Sequence, residues 1–192
     1  LGGAVCIDLG AFHMNGGAIT GGHIDSTTSS IPYGGNVYCN ATFIMTGGTI
    51  SDGYVKNPNA IGRGGNIYLS GSAYEKTITG GTIEGGIAYN GNGGNIYVGS
   101  GSLTITGDVE ITGGEAHRMI ALSNGGGNIY GYDGTEITIL GGTISNGYTE
   151  SLGGNVFTRG NISIVNRDIL SNGNSANEFA KELAANTGVV TV

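Results

Sequence analysis

The side chains that could do chemistry in this 192-residue chain are few and scattered. The acidic candidates are Asp133, in Tyr132-Asp133-Gly134, and the pair Asp108 and Glu110. Neither recurs with the spacing of calcium-binding nonapeptides, and calcium takes about six to eight oxygens, so they read as solvated charge. His13, His23 and His117 fall at unrelated positions along the chain, and no serine, histidine and aspartate set assembles from them. Cys6 and Cys39 are too few for a zinc site or a disulfide framework. No metal or cofactor is implied. Aromatic and cationic residues remain. Tyr38, Tyr68, Tyr97 and Tyr130 occupy one position of a repeat, and rings along an exposed stripe could grip flat sugar faces; such rings also stabilise neighbouring strands with no ligand. Lys56 and Arg63 lie in the insertion 54–63, and His117 and Arg118 in the insertion 115–125. Insertions on one side of a repeat array commonly form its binding face.

Composition narrows the partners. With 14 acidic and 7 basic residues the net charge is −7, which denies nucleic acid and anionic membranes a basic footprint. No apolar run approaches the roughly 18 residues that announce a membrane span. The chain opens at Leu1 without a charged and apolar leader, which suggests a fragment or a processed product. Ile (22) outnumbers Leu (9), and 41 residues are Gly, a bias toward strands joined by tight corners.

The elements that must position these residues follow from internal repetition. Gly34-Gly35-Asn36-Val37-Tyr38, Gly64-Gly65-Asn66-Ile67-Tyr68, Gly93-Gly94-Asn95-Ile96-Tyr97, Gly126-Gly127-Asn128-Ile129-Tyr130 and Gly153-Gly154-Asn155-Val156-Phe157 are copies of one motif, and Gly2-Gly3-Ala4-Val5-Cys6 is a sixth. Their spacings run from 27 to 33 residues. Between them lies a second motif, as in Gly47-Gly48-Thr49-Ile50, with degenerate versions around Ile111 and Ile169. A third apolar patch with period-two alternation, such as Phe43-Ile44-Met45, precedes it. Three short strands per unit, separated by glycine corners, predict an all-β chain: a right-handed parallel β-helix of about six rungs over 1–174.

Stacking then assigns each column. Val5, Val37, Ile67, Ile96, Ile129 and Val156 point inward, and Ile7, Cys39, Leu69, Val98, Gly131 and Thr158 join them. Cys6, Tyr38, Tyr68, Tyr97, Tyr130 and Phe157 face outward. The recurrent asparagine reads as an amide ladder in which each side chain bonds the next rung or a turn carbonyl. Thr77, Thr79, Thr104, Thr106 and Thr138 resemble the threonine arrays of ice-binding solenoids, interrupted by His13, Ile44, Leu140 and Val165. Residues 175–192 break the pattern. Ser175-Ala176-Asn177-Glu178 has capping-box spacing, and Phe179, Leu183 and Ala184 follow on one face, which predicts a capping helix over about 175–186. Nothing equivalent precedes Leu1, so the N-terminal end is expected to be covered by further rungs, another domain or another subunit.

The Gly-Gly-Asn-Ile-Tyr and Gly-Gly-Thr-Ile repeats resemble those of pectate-lyase-like right-handed β-helix proteins, particularly large bacterial cell-surface and adhesin-like proteins. Phe12-His13-Met14-Asn15 followed by Gly16-Gly17-Ala18-Ile19 is similar to the repeats of chlamydial polymorphic outer membrane proteins. The resemblance implies a secreted or surface-attached bacterial protein that displays or adheres, with a glycan or a host or cell-surface protein as partner. Enzymes of this fold class cleave acidic polysaccharides, yet of the polygalacturonase motif series only Gly22-His23-Ile24 has a counterpart here. The expectation is therefore a non-catalytic spacer or adhesin. A polysaccharide lyase or glycoside hydrolase is the alternative, and an ice-binding protein a weaker one.

Overall fold

The computed structural model describes residues 1–117, 125–175, 182–185 and 189–191. Among these the regular secondary structure is nearly all strand, and every strand pairing is parallel. The motif pair Gly64-Gly65 shows why glycine opens each turn. Gly64 sits at φ +72°, in the left-handed region, and a Cβ on Gly65 would overlap the Gly94 carbonyl oxygen one rung away. The strand that follows pairs with its equivalents above and below, which builds a parallel β-solenoid.

The first sheet stacks Val5–Ile7, Val37–Cys39, Ile67–Leu69, Ile96–Val98, Ile129–Gly131, Val156–Thr158 and Leu183–Ala185 in that order. Its register joins Val5, Val37, Ile67, Ile96, Ile129 and Val156 in one column, as the repeat predicts. The seventh strand lies beyond the six motif copies, in the segment expected to be a helix. Of that segment, residues 176–181 and 186 lie outside the described residues, and the described part is extended: Asn174–Ser175 and Leu183–Ala185 are strands.

In the second sheet, the apolar patch and the second motif are fused rather than separate. Ala11–Thr20, Thr42–Ser51, Lys76–Glu84 and Ser102–Thr112 are long strands that bend at the glycines, Gly81 having φ +100°. Met14, Met45, Ile78, Ile105, Ile139 and Ile164 form one buried column within it. In the last copy of the second motif Leu170 and not Ile169 pairs in register with Ile144, and both pack against the core partly buried. A 3-10 turn, Arg167–Ile169, leads directly into the strand of Leu170.

A third sheet was not anticipated: His23–Asp25, Tyr54–Lys56, Ile87–Tyr89, Glu115–His117, Tyr148–Thr149 and Asn174–Ser175. Both segments read as insertions, 54–63 and 115–125, therefore begin inside the solenoid wall. Each of these strands turns one residue inward, the column Ile24, Val55, Ala88, Ala116, Thr149 and Ser175. One small or β-branched residue per strand leaves little periodic signal.

The aliphatic columns make one core running the length of the coil. Burial of each such side chain is worth roughly 1.5–3 kcal/mol, so the columns collectively hold the fold. Cys39 belongs to this core and Cys6 is exposed, so the two thiols face opposite ways. Lys76, the one charged residue in the patch columns, is 2% exposed, and its Nζ donates to the carbonyls of Gly71 (2.6 Å) and Tyr74 (3.1 Å). Core residues of the first rung, Val5, Ile7, Phe12 and Ile19, are only partly buried.

Candidate functional site

Two internal ladders take up most of the chemistry that recurs in the repeat. In the first, the Nδ2 groups of Asn36, Asn66, Asn95 and Asn128 each donate to the Oδ1 of the next asparagine at 2.7 Å. Each Nδ2 also donates to a carbonyl of its own rung, as Asn95 does to Thr112 at 2.8 Å. Each Oδ1 accepts a backbone N–H from the corner that leads into the third sheet, as Asn95 does from Gly86 at 2.9 Å. All five asparagines are buried, and every side-chain donor is satisfied. The ladder ends at Glu182, whose carboxylate accepts from Asn155 Nδ2 (2.6 Å) and from the Gly173 N–H (3.0 Å).

The second ladder is aromatic. Tyr38, Tyr68, Tyr97, Tyr130 and Phe157 stack with ring centres 4.8–5.5 Å apart and interplanar angles of 4–22°. The column lies outside the aliphatic core, as expected, but it is not an exposed stripe. Tyr68, Tyr97 and Tyr130 are buried, and Tyr33, Tyr38, Leu152 and Ala184 pack against the cluster. The rings spend their faces on one another, which withdraws them from a flat ligand. Burial raises the hydroxyl pKa of Tyr68 and Tyr97 above the ordinary value, with the Arg63 charge opposing part of the rise. Arg63 covers this ladder: its guanidinium stands 5.4 Å from the ring centres of Tyr33 and Tyr97 and 5.8 Å from that of Tyr132.

Lys56 and His117 sit elsewhere, on the outer face of the third sheet. There Asp25, Lys56, Tyr89 and His117 form one column, and His23, Tyr54, Ile87, Glu115, Tyr148 and Asn174 the other. His23 stacks on Tyr54 at 4.6 Å, and His117 lies 5.6 Å from both Tyr89 and Tyr148. Glu115 meets His117 Nε2 at 2.8 Å, Glu150 meets its Nδ1 at 3.4 Å, and Lys56 pairs with Asp25 at 4.0 Å. This aromatic surface reaches solvent: Tyr54, Tyr89, His117 and Tyr148 are half-buried and His23 is exposed. The repeated corner Gly21-Gly22, Asp52-Gly53, Gly85-Gly86, Gly113-Gly114, Asn146-Gly147 and Asn172-Gly173 was the signal that could have located it. Arg118 lies outside the described residues.

Asp108 and Glu110 occupy a cleft of about 520 Å3 at the bend of the second sheet, with Gly81, Gly107, Gly142, Thr82 and Thr143 also lining it. Glu110 pairs in register with Thr82 and Thr143. A register shift between Ile105 and Asp108 breaks the glycine pair of this rung and puts a carboxylate where neighbouring rungs carry glycine. Thr77, Thr104 and Thr138 form a register column in the same sheet. Among the described residues no group of three or more His, Cys, Asp and Glu side chains is placed to hold a metal ion. No described helix is long and apolar enough to cross a membrane.

No protein-family model, curated protein or solved structure matches this chain. The architecture itself defines the class, a parallel β-solenoid.

Proposed function

We propose that this chain is a non-catalytic segment of a secreted or cell-surface protein of the bacterial adhesin-like, pectate-lyase-like kind. On this reading it is a stiff rod that displays a binding face to a glycan or a protein. The asparagine ladder carries the reading: unbroken from Asn36 to Glu182, it commits the most regular polar group of the repeat to holding rungs together. Display then falls to the outward columns of the third sheet, the connections that follow them and the cleft at Asp108. The half-exposed Val5, Ile7 and Phe12 support cover over the first rung by further rungs, another domain or another subunit. The test combines a glycan and protein array with incubation on a polysaccharide panel. Binding without new reducing ends or unsaturated products is expected, and its loss in a Tyr54→Ala, Tyr89→Ala variant would map the face. Cleavage of any polysaccharide would overturn the reading.

A second reading, a polysaccharide lyase or glycoside hydrolase, draws on the cleft, where Asp108 and Glu110 project two residues apart on one strand. It requires product formation that Glu110→Gln abolishes.

A further inference from the structure

Arg63 is held more firmly than an insertion residue needs to be. Its backbone bridges Tyr33 on one side and pairs with Asn92 on the other. Its N–H donates to the Pro32 carbonyl at 3.0 Å, and its own carbonyl accepts from Gly34 at 2.9 Å. Three rings, of Tyr33, Tyr97 and Tyr132, surround the half-buried guanidinium. Lys56, His117 and Arg159 each face a carboxylate, whereas among the described residues no carboxylate stands within ion-pair distance of Arg63. The Tyr68 hydroxyl engages part of the guanidinium's hydrogen bonding, and a guanidinium stacked on aromatic faces keeps its remaining in-plane N–H groups for a planar acceptor. Partial removal from water strengthens such a pair.

The surroundings point to the acceptor's source. Tyr132, 39% exposed, carries Arg159 5.5 Å from its ring centre as well as Arg63. Tyrosine and arginine around a half-buried anchor are the composition of protein-interface hot spots. A chain of net charge −7 repels a run of acidic residues, so the fit is a single carboxylate in an otherwise neutral segment. We infer that Arg63, flanked by Tyr33 and Tyr132, is the docking point for one Asp or Glu side chain of a protein partner. This rests on the display reading above and supplies one contact for it.

The test follows the Arg63 Nε–H resonance of the full, isotope-labelled chain during titration with a blocked Gly-Ser-Glu-Ser-Gly peptide. A saturable shift is expected, abolished when glutamine replaces the glutamate. It weakens in about 1 M salt, where the screening length falls to about 3 Å. Arg63→Lys keeps the charge but loses the fork, and it weakens binding about tenfold, the scale of one charge-assisted hydrogen bond. Tyr132→Ala, at a partly exposed position, also weakens binding, measured at a temperature where its thermal melt shows the chain folded. No saturable shift, an equal response to the glutamine peptide, or undiminished affinity in Arg63→Lys would overturn the inference. A shift produced by methyl glucuronide but not by the peptide would overturn the protein partner in favour of a sugar acid. Failure of the display reading is a separate outcome, cleavage of a polysaccharide, so the two remain distinguishable.

Discussion

Replacing Asn95 by alanine removes four hydrogen bonds from the middle of the ladder, but the loss is smaller than four. The Thr112 carbonyl retains the Gly85 N–H at 3.2 Å, and Asn128 Oδ1 retains the Gly114 N–H at 2.9 Å. Two donors lose their acceptor: the Gly86 N–H and one N–H of Asn66. A buried donor left without a partner costs about 1–3 kcal/mol, so Asn95→Ala should destabilise by about 4 kcal/mol. For a chain of this size that is a fall in melting temperature of about 8–16 °C. Asn36 heads the ladder, and no asparagine donates to it; its removal orphans the Gly22 N–H alone, so Asn36→Ala should lose about half as much. Urea unfolding followed by circular dichroism and by tyrosine fluorescence, with coincident transitions, gives both values. Equal losses in the two variants, or a loss below about 1 kcal/mol for Asn95→Ala, would refute the donor-by-donor reasoning.

Other perturbations separate the remaining parts. At the corner into the third sheet, Gly85→Asn should be nearly neutral in a thermal melt, because Asp52, Asn146 and Asn172 already adopt the same left-handed conformation in other rungs. Gly86→Ala should be severe, since its Cβ would overlap the Gly94 carbonyl and press on Asn66 Nδ2 and Asn95 Oδ1, each 2.8 Å away. Burial lowers the Lys76 pKa below 10.5, so between the folded and unfolded values the unfolded chain binds the extra proton and stability rises with pH; Lys76→Met should abolish that slope in melts across alkaline buffers. Burial raises the Tyr68 and Tyr97 pKa above 10.0, so their contribution is intact below that pH and is lost above it, with phenolate absorbance growing as β circular dichroism disappears. Glu182→Gln leaves one acceptor oxygen for two donors and should destabilise by about 1–2 kcal/mol in urea.

The columns of the first two sheets were legible to the residue because the same types recur at the same offset, and stacking turns recurrence into contact. Val37, Ile67 and Ile96 needed no further information. Recurrence also carried the amide ladder, and it failed where type changes but role does not. Glu182 stands where an asparagine would, and Leu183-Ala184-Ala185 repeats the strand without its glycines or its aromatic ring, so local pattern favoured a helix. The third sheet escaped because its strands contribute one inward residue each, from isoleucine to serine. The cover over the tyrosines escaped for another reason. Tyr33, Arg63 and Tyr132 come from irregular connections, and only folding brings them over the ladder.

The ladder also has a direction. Every asparagine of the ladder donates toward the C-terminal rung, and each after Asn36 accepts from the N-terminal one, so successive amide dipoles align and polarise one another. An asparagine in the place of Glu182 would offer one oxygen to the two donors that meet there. A carboxylate accepts twice and donates nothing, and its negative charge sits at the positive end of the aligned row, the electrostatic arrangement that favours acids at helix N-termini. The outward columns carry no such constraint. Position by position the third sheet offers histidine, tyrosine, isoleucine, glutamate, tyrosine and asparagine, a variety that the buried ladder excludes. Interior hydrogen bonding and surface variety are thus assigned to different residues of one short repeat, and surface chemistry can change from rung to rung without disturbing the hydrogen bonds that hold the rungs in register.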